Sequence, residues 1–299
     1  MKVAITGSTG LIGTALCQRL SERGDQVVRV VRGRLGSNEP TIDWNPAAGA
    51  LDAGALEGFD AVVNLAGENI GARRWSDHQR DSIYRSRVDG TRLLAETLAS
   101  LRSKPRVFLN ASAIGYYGDR GDEVLAESSP PGDLFTSQVS AAAESAARAA
   151  TDAAIRTVLM RTGIVLSARG GALARMLTLF SLGLGGRMGT GAQWMSWIAI
   201  DDEVAAIESI LDGDLAGPVN LVAPNPVTNA QFTRALGKVL GRPALIPVPA
   251  FAPRLLLGRQ LADELLFASA RVEPFALETS GFSFGYASIE DGLHHVLRR

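Results

Sequence analysis

Apolar residues fall along the first two-thirds of the chain in short, almost unbroken runs. Residues 3–6, 27–31, 61–65, 107–111 and 157–161 are the clearest of these, and 41–44 is a weaker one. Runs of that length and continuity predict strands buried on both faces. Between them, residues 11–23, 76–101 and 135–151 carry apolar positions every three or four places, the spacing of helices with one buried face. Strand and helix in alternation predict an α/β fold, a doubly wound parallel sheet with helices on both sides.

After Ser167 the pattern changes. Residues 170–191 are rich in glycine and apolar side chains, and LGLGGRMGTG predicts a loop beside a ligand. Residues 197–200 then read as a strand and 201–211 as a helix, with Asp201 as its N-cap. From Val222 onward the prolines in APNPV, GRPALIPVPAFAP and VEPF predict a smaller subdomain of short elements.

Composition narrows the partners. The formal net charge is −1, so no basic field exists to hold a phosphate backbone, and nucleic acid is not an expected partner. Cys17 is the only cysteine, which excludes a disulfide framework and a cysteine zinc site. No apolar run reaches the ~18 residues of a membrane span. The nearest, 251–270, is broken by Arg254, Arg259, Asp263 and Glu264, so no membrane partner is expected and a cytoplasmic location is. His78, His294 and His295 lack metal-ligand spacing, and no metal is expected.

The candidate chemistry begins at the first strand. TGSTGLIG places Gly7, Gly10 and Gly13 in the pattern T-G-x-x-G-x-x-G, directly after a strand and at the start of an amphipathic helix. Gly7 would allow the tight turn, Gly10 the close approach of a pyrophosphate, and Gly13 close packing of helix on sheet. The amides of Ser8, Thr9, Leu11 and Ile12 would then face the anion at the positive end of the helix. An acid at the end of the second strand would bind a ribose 2′-hydroxyl and select NAD; the run VVRVVRGR has none. Val31 is followed instead by Arg32, with Arg34 close behind. A guanidinium there suits a 2′-phosphate, and the expected cofactor is NADP(H).

These features resemble the short-chain dehydrogenase/reductase superfamily in its extended, epimerase/dehydratase branch. NLAG, with Leu65, Ala66 and Gly67, is similar to the segment after the fourth strand that lines the adenosine side of the cofactor. RVDGTRLLAETL is similar to the N-v-x-G-T helix, with Arg87 in place of the asparagine, and NASAIGYYGD resembles the stretch in which the fifth strand delivers a catalytic serine or threonine. AGENI, RRW, SPPGD, LGLGG, NLVAPNPVTNAQF, LGRP and PVPAF together resemble one atypical subfamily. Its bacterial members are labelled epimerase family protein, nucleoside-diphosphate-sugar epimerase or cell division inhibitor, and carry a C-terminal domain of unknown function. The resemblance covers essentially the whole chain. It implies a Rossmann domain built from residues 1–166 and 195–222, and a smaller substrate or lid subdomain from 167–194 and 223–299. It further implies cofactor contacts from Glu68, Ser82, Arg87, Ala111 and Ile164, and leaves a homodimer open.

One part of the superfamily pattern is missing. Its redox step uses Tyr-x-x-x-Lys, in which an ammonium one helical turn away eases the phenol's proton transfer. The tyrosines are Tyr84, Tyr116, Tyr117 and Tyr286, and four places beyond them stand Val88, Arg120, Gly121 and Glu290. The resemblance aligns Thr136 and Ser140 with the dyad. Ser112, Tyr116 and Tyr117 remain as the candidate catalytic groups, each with a purely structural alternative as a strand-end serine or a packed aromatic. Two readings follow: an NADP(H)-dependent oxidoreductase or epimerase acting on a small carbonyl or nucleotide-sugar-like substrate, or a non-catalytic NADP(H)-binding sensor or regulatory protein.

Overall fold

The structure is a computed structural model that describes residues 1–33, 40–244 and 246–297; Arg34 lies outside them. The first half runs β1 (Lys2–Thr6), α1 (Leu11–Glu22), β2 (Gln26–Val31), β3 (Thr41–Asn45), β4 (Ala50–Leu51), β5 (Ala61–Asn64), α2 (Asp77–Ser100) and β6 (Val107–Ala113). There follow β7 (Val124–Leu125), α3 (Phe135–Ala146), α4 (Arg148–Asp152), β8 (Arg156–Thr162), β9 (Ile164–Leu166), α5 (Gly171–Ser181), β10 (Trp194–Met195), β11 (Trp197–Ala199), α6 (Ile200–Asp212) and β12 (Gly217–Leu221). The remainder comprises β13 (Val227–Thr228), α7 (Asn229–Leu240), α8 (Phe251–Leu257), α9 (Arg259–Ala262), a π-helical turn (Asp263–Phe267), β14 (Arg271–Val272), α10 (Phe275–Thr279) and α11 (Ile289–Leu297).

Among the described residues, eight strands form one sheet in the order β12-β8-β6-β5-β1-β2-β3-β4, with β4 alone antiparallel to its neighbour. Strand order reverses between β1 and β5, and that switch point is where an open α/β sheet leaves a crevice at its carboxyl ends. Two apolar layers explain the near-continuous hydrophobic strands. Val3, Ile5, Val63, Leu109, Val158 and Met160 face α1 and α6, whereas Ala4, Val28, Val62 and Phe108 face α2 and α4. A third cluster joins α5, α7 and α11 around Trp197 and Phe232.

Local details depart from the sequence reading in three places. Residues 171–181, for which the sequence reading named no element, form α5 and bury Leu173 and Phe180. The helix expected over 135–151 breaks at Ala147 into α3 and α4. Asp201 is not an N-cap: α6 starts at Ile200 after Ala199, which places Asp201 inside the first turn, where its carboxylate meets His295 Nε2 at 2.5 Å. An acid in a first turn still complements the helix dipole, which is why the composition there looked like a start signal.

Candidate functional site

The turn after β1 is tight because three glycines make it so. Gly7 has φ +63°, and a β-carbon there would stand 2.5 Å from the Leu65 carbonyl carbon. A β-carbon on Gly13 would collide with the Gly7 carbonyl, so α1 packs against the turn with no room for a side chain. The turn, the end of β2 and the end of β5 enclose one cleft lined by Gly7, Ser8, Thr9, Gly10, Val31, Arg32, Leu65, Ala66 and Gly67. Trp44 of β3 and Val30 complete it, and the sequence reading had assigned neither. Ser8 is 1% exposed, and its Oγ is buried without a hydrogen-bond partner among the described residues. A buried hydroxyl left unsatisfied costs about 1–3 kcal/mol, so it marks a place built for a polar ligand. With the free amides of the first turn of α1, this donor set fits the phosphates of a dinucleotide.

A buried polar network sets the spread of the strand ends. Thr6 Oγ1 donates to Asn64 Oδ1 at 2.6 Å and accepts from the amides of Leu65 and Ala66. Asn64 Nδ2 donates to Asn110 Oδ1 at 2.7 Å, and Thr91 Oγ1 of α2 donates to the same oxygen at 2.9 Å. β1, β5, β6 and α2 are thereby tied together at the floor of the crevice.

Arg87 reaches this edge from α2. Its Nη1 donates to the Glu68 carbonyl at 3.0 Å, and its guanidinium lies 3.2 Å from where a Gly67 β-carbon would be. Burial lowers its pKa, the Glu68 carboxylate opposes that shift, and Nη1 donates also to the Ile83 carbonyl at 3.4 Å. Ser82 is on the same helix, but the serine that touches this segment is Ser86, whose Oγ accepts from the Glu68 amide at 2.9 Å. Glu68 also accepts from Gln79 Nε2 at 3.4 Å. Arg29 is a further cation that sequence reasoning missed. It sits two positions before Val31, and its Nη1 donates to the Ser8 carbonyl at 3.2 Å. The i, i+2 alternation of β2 was the available signal.

The carboxyl end of β6 and the turn after it hold Ala111, Ser112 and Tyr116. Ser112 Oγ donates to Glu144 Oε1 at 2.6 Å, and Glu144 is clasped by Arg161 through Nε at 2.9 Å and Nη2 at 2.8 Å. Burial alone would lower the Arg161 pKa, but the carboxylate more than reverses that and holds it above its ordinary value. The Arg161 guanidinium lies over the Tyr116 ring, 3.5 Å from its centroid. Tyr117 cannot meet a substrate. It is 0% exposed, its hydroxyl donates to Asn220 Oδ1 at 2.6 Å and accepts from Arg161 Nη1 at 3.0 Å, and burial pushes its phenol up. Sequence proximity suggested otherwise, but adjacent residues in a 3₁₀ turn point in different directions. Arg120 binds Glu123. Trp197 is core, while Ile164 is half-buried in β9 beside it.

The C-terminal segment closes over α3. Thr136 and Ser140 are buried on α3, and the Glu264 carboxylate accepts from the Thr136 amide at 2.9 Å and the Phe135 amide at 3.4 Å. Gln193 Nε2 donates to the Leu266 carbonyl at 3.0 Å, fastening the same segment to the strand β10 region. A hollow of about 1050 Å³ lies elsewhere, between the end of α6 and α10, and contains none of the expected site residues.

A parallel sheet with a glycine turn at its switch point defines a dinucleotide-binding protein of the doubly wound class. Residues 3–221 match the NAD dependent epimerase/dehydratase family, and the chain belongs to that family; residues 248–296 match a domain of unknown function, DUF1731. An epimerase family protein of Mycobacterium bovis is 44% identical over 298 residues, covering 99% of this chain and 98% of its own. The crystal structure of human epimerase family protein SDR39U1 with NADPH superposes with a TM-score of 0.92 at 36% identity, covering all of both chains. A nucleoside-diphosphate sugar epimerase of Corynebacterium glutamicum superposes with a TM-score of 0.81 at 38% identity, covering 99% of this chain and 58% of that one. The fold expected from the sequence is the fold found.

Proposed function

We propose that the chain binds NADP(H) and is an oxidoreductase or epimerase for a small carbonyl or nucleotide-sugar-like substrate, working without the Tyr-x-x-x-Lys dyad. The observation that carries the cofactor reading is the cleft itself, where the orphaned Ser8 hydroxyl and the Arg32 guanidinium flank one glycine cradle. The human relative solved with NADPH supports it. Once bound, the nicotinamide would supply or accept hydride equivalents.

The protein's own groups would then handle the proton. Ser112 gives its hydrogen to Glu144, so its lone pairs face outward and suit a substrate hydroxyl as donor. Tyr116 makes no side-chain hydrogen bond among the described residues and is half-buried beside Ser112, leaving its phenol for a ligand. Tyr116 is therefore assigned as proton carrier and Ser112 as the acceptor that orients the substrate. The burial of Thr136 and Ser140 where the dyad would stand favours the second reading, a cofactor-binding sensor without turnover.

Titration with NADPH and NADH tests the cofactor. Wild type should prefer NADPH, and Arg32→Ala should lose about tenfold or more of that preference. Equal affinities throughout would overturn the assignment. Following NADPH absorbance against carbonyls and nucleotide sugars tests the chemistry. Turnover that falls at least about a hundredfold in Tyr116→Phe supports catalysis, and tight cofactor binding with no oxidation across the panel supports the sensor.

A further inference from the structure

Most exposed large hydrophobics among the described residues belong to two neighbouring lips. One is the end of α5 and the loop after it, with Leu182 and Leu184; the other leads into α8, with Ile246, Phe251, Leu255 and Leu256. These six side chains are 55–75% exposed. The lips are one surface. Met188 pairs with Val248, the Val248 amide donates to the Arg187 carbonyl at 2.9 Å, and Gly186 lies directly against the Ile246 carbonyl. A patch of this kind on a folded surface marks an interaction site.

Its charge identifies the occupant. Residues 167–200 and 241–262 contain no aspartate or glutamate, yet they carry Arg169, Arg175, Arg187, Arg242, Arg254 and Arg259 in a chain whose net charge is −1. All six are exposed. Asp263, the next residue, offsets one of them by pairing with Arg254 at 2.6 Å and Arg259 at 3.6 Å. A second copy of this face would set arginine against arginine. A protein partner would ordinarily exchange a hydrogen bond for every ~100–200 Å² buried. Residues 179–189 and 246–258 offer only Ser181, Arg187 and Arg254 as polar side chains. Aliphatic and aromatic spikes with arginines around them suit a fluid, negatively charged surface, which supplies phosphates without demanding shape complementarity.

We propose that these lips dock on an anionic lipid bilayer. No helix among the described residues is long and apolar enough to cross a membrane, so the contact is peripheral. It also revises the sequence expectation of no membrane partner, which considered spans alone. Both lips are fastened to the loop between β5 and α2. Arg74 Nε donates to the Leu256 carbonyl at 2.9 Å and Nη2 to that of Leu255, and Arg175 Nη1 donates to the Gly71 carbonyl at 2.6 Å. That loop begins with Leu65, Ala66 and Gly67, which line the cofactor cleft, so a docked lip sets the bilayer beside the mouth of the crevice.

Flotation of the full chain with vesicles tests this. Partition onto equal phosphatidylglycerol and phosphatidylcholine should exceed that onto pure phosphatidylcholine by about tenfold, and should fall as salt rises. Leu182→Glu with Leu255→Glu should lose about tenfold or more of it. Arg242→Glu with Arg259→Glu, charge reversals on exposed sites that leave the apolar side chains in place, should lose a similar factor, with NADPH affinity reporting an intact fold. Absence of partition for wild type, or equal partition onto both vesicles, overturns the proposal. Self-association that the leucine substitutions abolish, without vesicle binding, overturns it in favour of a second copy.

Discussion

Glu144 and Arg161 clasp each other through two parallel hydrogen bonds of 2.9 and 2.8 Å, with side chains only 9% and 4% exposed. The pair holds β8 to α3, and the same carboxylate takes the hydrogen of Ser112. Replacing Glu144 with alanine leaves a buried guanidinium without its counter-charge. The expected loss is about 3–5 kcal/mol of stability, read from denaturant midpoints. Glu144→Gln, which also removes the charge but keeps an acceptor for Ser112, should cost nearly as much; a much smaller loss would show that charge is not the point.

The glycine turn makes a sharper prediction. Gly13→Ala drives a β-carbon into the Gly7 carbonyl. α1 must then lift from the turn, taking with it the amides that face the phosphates. NADPH affinity should fall more than about a hundredfold, while the chain stays folded on its two apolar layers. Gly24→Ala, at φ +92° with nothing near its β-position, should lower stability by about 1 kcal/mol and leave affinity unchanged.

Glu203 makes stability depend on pH. It is 1% exposed, its Oε1 accepts from Thr162 Oγ1 at 2.9 Å, Oε2 has no partner among the described residues, and burial pushes its pKa up to about 8. The folded protein keeps a proton that the unfolded chain releases above the usual carboxylate pKa. This contribution is fully present in acid, declines as pH rises towards 8 and then levels off. Glu203→Gln should flatten that decline and gain roughly 1–3 kcal/mol on wild type between pH 5 and 8. Parallel pH–stability curves for the two would refute it.

Glu264 caps α3 from more than a hundred residues away. Glu264→Ala frees the Phe135 and Thr136 amides and the segment that covers them. The expected cost is about 1–2 kcal/mol, with faster proteolysis confined to the C-terminal segment and NADPH affinity kept. A uniform increase in cleavage along the chain would contradict the capping role.

The parallel sheet and the glycine cradle were legible because both depend on short stretches whose pattern is their cause. Val3–Thr6 can only be a two-sided strand, and Gly7 sits where a positive φ is needed. The place of Arg32 in the cleft was legible for the same local reason. What escaped was long-range. Nothing in the sequence near Tyr117 announces Asn220, 103 positions on, as the partner that consumes its hydroxyl. Ser86 was passed over for Ser82 because one helical turn decides which serine reaches the Glu68 amide. Glu264 went unnoticed as a cap because the helix start it serves lies 128 positions earlier in the sequence.

The cap on α3 also bears on how the chain is made. A nascent chain released as far as Leu221 already has every strand of the eight-stranded sheet, including the cradle after β1. The start of α3 waits bare until residues 260–270 leave the ribosome. Ability to hold a nucleotide should thus arise before the cap on α3 is in place. A chain stopped before Val248 would sequester the nucleotide while lacking the wall that shapes what can meet it.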